Sequence, residues 1–320
     1  MPKLNSEYRI GVDIGGTFTD IVAVNQKNGQ QFNGKVLTTP ENPSKGVLTG
    51  IKDIISKNKI NPNNCRIIHG TTLVANALIE RKGSKTALLT TQGFKDVLEI
   101  GREWRYDLFS LGLEMPSPIV PRNLRFEVTE RVNFKGEIVK NLLEDELIKI
   151  AKIIEKSGVK TLAIVFLHSF KNSKNENLAK NVIQKELPDL NICLSSVVSP
   201  EIGEYERTST CVANAYVQPV FKNYVNSLVE GLKKIGISND LFLMLSDGGI
   251  VHQKTAIEFP IRLVQSGPAG GAQAATLFGK MQKSMNILCF DMGGTTAKAC
   301  LIEDSKPSRT TVFEVARVFR

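Results

Sequence analysis

Residues 10–20 read IGVDIGGTFTD, and 278 positions later residues 288–298 read LCFDMGGTTAK. Each copy is an apolar run, an acid, one spacer, two glycines and a threonine. Paired glycines permit positive φ and let an anion approach the backbone, while turn amides and threonine hydroxyls supply donors to one concavity. A carboxylate in such a cradle would repel phosphate, so Asp13 and Asp291 make chemical sense only with a divalent cation or a nucleophilic water between. One acid-glycine turn also fits an ordinary hairpin. Two copies at fixed spacing favour a pair of facing turns that clamp one polyphosphate.

The elements that must position these turns follow from periodicity. Residues 8–13, 17–25 and 31–38 read as strands, the last two joined by Asn28-Gly29, an antiparallel meander. A helix over 43–57, a strand over 66–69 that enters Thr71-Thr72, a helix over 73–81 and a strand over 85–90 continue it as one mixed sheet. GQQFNGKV (29–36) nearly matches a P-loop, but it ends in Val and lies in a hairpin, so it is rejected. Residues 101–131, with the only Trp, five arginines and three prolines, read as an ordered loop or flap. There Arg102 or Arg105 is either an anion ligand or a surface partner for nearby acids.

Regular α/β alternation resumes: helix 144–157, buried strand 160–168, helix 174–187 and strand 191–195, a parallel insert or lobe. Residues 201–234 read as helical with a bend or break at Pro219, and Glu204, Arg207 and Asn214 either line a site or belong to a packed face. A strand over 241–245 runs into Ser246-Asp247-Gly248-Gly249, and SGPAGG (266–271) runs into a helix over 272–280; free amides at such turns suit anions. The second meander is predicted as strands 286–291 and 296–303, a turn over 304–307 and a third strand near 310–318. No helix follows to cover it, so a truncated second lobe is expected.

A chain of 320 residues, 42% hydrophobic, can bury a large core in about two domains. Its longest apolar run is far short of the roughly 20 residues of a membrane helix, and no charged-then-apolar leader opens it, so neither membrane nor export is expected and the cytoplasm is the default. The five cysteines lack a C-x-x-C pair and the three histidines lack metal-ligand spacing. A net charge of +9 comes from scattered lysines without aromatic interleaving, which argues against nucleic acid.

In order along the chain, IGVDIGGTFTDIV, HGTTLVANALIERKG, GFKDVLEIGR, VPRNLRFEVTER, EYERTSTCVANAYVQP, LSDGG, SGPAGG and FDMGGTTAKACLI resemble the hydantoinase A/5-oxoprolinase family over almost the whole chain. Cys211 stands where a threonine would be expected in the helical motif. The resemblance implies an α/β, actin-like ATPase (ribonuclease H-like) fold of mixed sheets with helices, divided into residues 1–200 with the first phosphate motif and residues 201–320 with the second. It implies ATP with Mg2+ or Mn2+ as cofactors, ring opening of a cyclic amide such as hydantoin, N-methylhydantoin or 5-oxoproline, a hydantoinase B-type partner subunit, and an oligomer in the intact form.

On that basis Asp13 is assigned to the metal or its water, and Gly15, Gly16, Thr17 and Thr19 to phosphate oxygens. Gly293, Gly294, Thr295 and Thr296 take the opposite phosphates, and Asp291 the metal or proton transfer. His69, Thr71, Asn76 and Arg102 are substrate-side candidates. Two alternatives stay open: a ketone carboxylase subunit that phosphorylates an enolate or bicarbonate, and a non-catalytic piece that binds a partner.

Overall fold

The computed structural model describes residues 7–103, 107–113, 115–292, 297–310, 312 and 313. Two compact units interleave along the chain. One runs to Asn76 and resumes over Phe221–Phe313; the other is Ala77–Val220.

The first unit opens with β1 (Tyr8–Ile14), β2 (Phe18–Asn25) and β3 (Gln31–Leu37), an antiparallel meander in the register Asp13↔Asp20 and Thr19↔Val36. Alternation buries Ile10, Val12, Ile14 and Ile21 on one face, each worth about 1.5–3 kcal/mol. Gly29, at φ +74, turns the chain between β2 and β3. Helix α1 (Pro43–Lys57) buries Val47, Ile51, Ile54 and Ile55 against that sheet. It comes so close that a Cβ on Gly50 would lie 2.3 Å from Ile21 Cδ1. Strand β4 (Cys65–Thr71) lies parallel beside β1, and α2 (Leu73–Ile79) leaves its end.

The second unit holds β5 (Thr86–Thr91), the short α3 (Val97–Ile100), β6 (Arg125–Val128), the hairpin of β7 (Arg131–Val132) and β8 (Ile138–Lys140), α4 (Glu144–Ser157), β9 (Thr161–Val165), α5 (Lys174–Glu186), β10 (Asn191–Leu194) and α6 (Ser195–Val198). Its sheet runs β10-β9-β5-β6, parallel throughout, and every residue of β5 and β9 is buried. This is the covered parallel sheet that continuous apolar runs require. Helix α4 starts on three acids and stops at Gly158 in the left-handed conformation, both terminus signals legible in the sequence.

Helix α7 (Glu204–Lys234) is followed in the first unit by β11 (Leu241–Met244), β12 (Ile250–His252), α8 (Gln253–Glu258), α9 (Ser266–Met281), β13 (Ile287–Met292), β14 (Ala297–Glu303) and β15 (Lys306–Pro307). The six-stranded sheet runs β12-β11-β4-β1-β2-β3, and β13-β14-β15 form a separate meander. Helix α9 packs on that meander, while Leu288, Phe290, Met292 and Leu301 remain exposed.

Several expectations need correction. The strand near 85–90 does not extend the first sheet: β4 takes β11 as its neighbour and β5 belongs to the second unit's sheet, because pairing partners distant in sequence carry no local signal. The segment 101–131 is not loop throughout, since Arg125–Val128 adds a parallel edge strand to β5. Helix α7 continues through Pro219, its apolar residues Val217, Phe221, Val225 and Leu228 buried on both sides of the proline. The second meander turns already at Asp304-Ser305, both at positive φ, so its third strand is Lys306–Pro307.

Candidate phosphate site

The acid of the first turn is the last but one residue of β1, YRIGVDI. Asp13 alternates outward while Val12 and Ile14 point inward, so its carboxylate stays open to solvent at the end of β1. Loss of hydration raises its pKa above the ordinary carboxylate value; the charges of Asp20 and Asp291 push the same way and Lys298 opposes them. The structure thus brings the acids of the two repeats within electrostatic range of each other. Directly across the β1/β4 ladder from Asp13 is Gly70, where a Cβ would stand 3.3 Å from Asp13 Oδ1. A side chain there would crowd the carboxylate, and the sequence offers no signal for this beyond the glycine itself.

The turn after Asp13 is held by Gly15 N–H donating to Phe18 O at 2.9 Å. Neither Gly15 nor Gly16 has positive φ, contrary to the expectation from their pairing. Close approach explains the first, since a Cβ on Gly15 would meet Phe18 O at 3.1 Å. Gly16 has nothing within 4 Å, so its side is open to a ligand. Thr17 is exposed beside it. Thr19 is fully buried with its hydroxyl 3.2 Å from that of Thr38, which in turn donates to Gly15 O at 2.9 Å. Thr19 therefore braces the turn from within.

Thr71 ends β4 beside Ile14. Its backbone N–H donates to Ser266 Oγ at 3.2 Å and its carbonyl accepts from the same hydroxyl at 2.8 Å, which ties the first turn of α9 to the end of β4. SGPAGG is thus not a turn before the helix; it is the start of α9, with Gly267 and Gly271 open on their Cβ sides. Thr72 donates to Ile14 O at 3.2 Å, and the exposed Asn76 reaches Thr72 at 3.4 Å. In the Ser246–Gly249 turn the expected free amides are used internally: Ser246 N–H bonds Arg262 O, Gly248 N–H bonds Leu245 O and Gly249 N–H bonds Asp247 Oδ1.

His69 lies inside the sheet rather than on its rim. It is completely buried, with Nε2 2.6 Å from Tyr224 Oη and Nδ1 3.3 Å from Val12 O, and burial pulls its pKa down to about 4. Arg102 belongs to the other unit, where it pairs with Glu206. Gly293, Gly294, Thr295, Thr296 and Arg105 lie outside the described residues. One neighbourhood therefore gathers Asp13, Gly15, Gly16, Thr17, Thr71 and Asp291, together with Ser266 of the SGPAGG stretch and with Gly70 and Lys298, to which sequence reasoning had given no role of their own.

Among the described residues no three His, Cys, Asp or Glu side chains converge as a metal cage. A magnesium-like cation keeps most of its shell as water and phosphate oxygen and takes one or two carboxylates from protein. Clustered like charge at Asp13, open on one side and cleared by Gly70, fits that demand.

An antiparallel meander with an acid at its first turn, extended by parallel strands and repeated, is the architecture of the actin-like ATPases. Residues 9–187 match the hydantoinase/oxoprolinase N-terminal region and residues 207–319 match hydantoinase/oxoprolinase. The chain belongs to the hydantoinase/oxoprolinase family.

An uncharacterized protein of Methanocaldococcus jannaschii is 42% identical, covering 96% of this chain and 45% of its own length. Caprolactamase subunit alpha of Pseudomonas jessenii is 33% identical over 95% of this chain and 44% of its own. The crystal structure of ATP-dependent caprolactamase from that organism aligns with a TM-score of 0.79 at 30% identity, covering 92% of this chain and 43% of that one. A nucleotide-free acetone carboxylase structure, from work on ATP-dependent acetone carboxylation, aligns with a TM-score of 0.84 at 27% identity, over 93% and 44% of the two chains. The chain thus spans somewhat under half the length of these relatives.

Proposed function

We propose that this chain supplies the phosphate-handling part of an ATP-dependent enzyme that opens a cyclic amide, acting with a hydantoinase B-type partner subunit. The observation that carries the reading is the Asp13 turn: an open carboxylate, a glycine with free space beside it, and a second acid of the same motif within electrostatic range. An amide carbonyl resists water. Phosphoryl transfer from ATP to its oxygen, with ADP as the leaving group, makes the carbon electrophilic. One water then adds, the ring C–N bond breaks with a proton going to the nitrogen, and a second water cleaves the resulting acyl phosphate to carboxylate and phosphate.

Bound magnesium or manganese would supply charge neutralisation between the phosphates and the protein's carboxylates. Asp13 and Asp291 are the residues that would hold it. Gly16 and Thr17 present backbone and hydroxyl to a phosphate, and Gly293, Gly294, Thr295 and Thr296 are assigned the opposite phosphates. Thr19, through Thr38, keeps the first turn in shape. Positioning of this kind is most of what phosphoryl transfer asks of a protein.

The likeness to an acetone carboxylase structure favours a second reading, in which the phosphorylated group is an enolate or bicarbonate. Phosphate release from the protein with its partner subunit decides between them: stimulation by 5-oxoproline, hydantoin or caprolactam supports ring opening, whereas stimulation only by acetone plus bicarbonate supports carboxylation. Asp13→Asn should lower either activity at least ~100-fold. Turnover near the unmutated rate would remove Asp13 from the mechanism.

A further inference from the structure

Cys289 of β13 and Cys300 of β14 stand directly across the ladder from each other, and the phosphate chemistry uses neither. Their equivalents in the first copy of the repeat, 278 positions earlier, are Gly11 and Val22, also directly opposed, so the repeat does not itself require thiols there. Opposed residues of an antiparallel pair point to one face. That face also carries Ile287 and the fully buried Ile302 on one side of the cysteines, and Asp291 and Lys298 on the other. Helix α9 lies over its Ile287 end, where a Cβ on Gly279 would stand 2.0 Å from Ile287 Cδ1. Both thiols are left half-buried.

The Cα atoms of opposed residues are about 4.5 or 5.5 Å apart and a disulfide spans about 4.4–6.8 Å between Cα atoms, so either kind of pair admits one. The Cβ atoms, about 4.5–5.5 Å apart across a ladder, must close to about 3.5–4.5 Å. That tightening loads the ladder and keeps the bond easy to reduce. Burial first, then the charges of Cys300 and Asp291, hold the Cys289 thiol above its ordinary pKa, the trace of a second sulfur close by. Cys300 Sγ donates weakly to Leu301 O at 3.6 Å, within its own strand. The other three cysteines, Cys65, Cys193 and Cys211, are buried away from a dissolved oxidant. Two thiols also suggest a metal, but zinc asks for at least three protein ligands, and among the described residues no third ligating side chain joins this pair.

We propose that Cys289 and Cys300 form a reversible cross-strand disulfide, with a low-molecular-weight disulfide as oxidant, a modification that locks β13 to β14 two residues from Asp291. One cysteine thiolate attacks a sulfur of the small disulfide, whose S–S bond breaks and releases one thiol. The second cysteine gives up its proton and attacks the sulfur of the first, the Sγ–Sγ bond forms, and the other half of the oxidant leaves as a thiol. Two protein thiols are oxidised and one small disulfide is reduced to two thiols. The step needs neither nucleotide nor partner subunit, so its failure is separate from failure of the ATP reading.

The native 320-residue chain is incubated with glutathione disulfide, then denatured, alkylated and mapped by mass spectrometry. It should lose the mass of two hydrogens and yield one linked peptide pair carrying Cys289 and Cys300, and dithiothreitol should restore all five thiols. Hydrogen exchange over Ile287–Glu303 should slow at least ~10-fold in the oxidised chain, and should not slow in Cys300→Ser given the same treatment. Five free thiols after treatment, stable mixed disulfides with glutathione, a link that joins any other pair of cysteines, or unchanged exchange in the cross-linked chain would overturn the proposal. The mapping uses the unmutated protein, so it decides the matter whether or not the serine variant folds.

Discussion

Asp20 and Lys298 stand at the same place in the two copies of the repeat, each directly across a ladder from the acid of its own copy: Asp13 opposite Asp20, Asp291 opposite Lys298. The copies are alike in backbone and opposite in charge. Loss of hydration is the first cause of the raised Asp13 pKa, Asp20 adds to it and Lys298 counters it. Only the ionised acid can hold a cation, so the acid limb of magnesium-dependent ATP hydrolysis should move to lower pH in Asp20→Asn and to higher pH in Lys298→Met. A limb that stays put in both variants would mean that Asp13 is not the titrating group. The same shift has a stability sign: an acid whose folded pKa is raised costs stability when ionised, and the cost is relieved as pH falls through that pKa. Asp13→Asn should accordingly leave the melting temperature at pH 7 equal or higher.

Gly16 and Gly70 separate folding from ligand approach. A methyl on Gly16 meets nothing, and its φ is not positive, so Gly16→Ala should melt like the unmutated protein while it weakens nucleotide binding by roughly 10-fold or more through occlusion of the turn. Gly70→Ala should lower metal-dependent turnover by crowding Asp13 Oδ1. Gly50→Ala provides the contrasting control: its Cβ would collide with Ile21, so it should cost about 1–3 kcal/mol in denaturant unfolding.

The buried pair of His69 and Tyr224 predicts an acid-sensitive core. Folding holds His69 neutral down to about pH 4, whereas in the unfolded chain it protonates near 6.5. Its contribution is therefore complete above pH 6.5 and is lost as pH falls towards 4, about 3 kcal/mol at the limit. The difference in unfolding free energy between the unmutated chain and His69→Asn should shrink between pH 7 and pH 4.5. Tyr224→Phe leaves His69 Nε2 unpartnered and should cost about 1–3 kcal/mol at pH 7. A pH-independent difference would mean that water reaches the imidazole.

The β13-β14-β15 meander should be the least protected part of the first unit. It has three strands, the last only two residues long, and one face carries exposed Leu288, Phe290, Met292 and Leu301. Native-state hydrogen exchange should report faster exchange over Ile287–Glu303 than over β1, β2 and β4. Equal protection would show that this face is covered in solution.

Local chemistry in the sequence determined the pieces. The bounds of α1 and α4 follow from apolar periodicity and terminus residues, and the acid-glycine repeat is visible as a string because its parts are contiguous. The family, too, is legible in ordered short motifs. Tertiary structure alone decided which strand lies beside β4, that Ser266 bonds both backbone groups of Thr71, that His69 is sealed by Tyr224, and that Arg207 is buried against Ser169 and Phe166 rather than facing solvent. These partners lie from 38 to 195 positions apart, and no periodicity links residues at such distances. Whether a given His or Arg is exposed or buried is set by what packs over it, a property of the assembled chain and not of its neighbours in sequence.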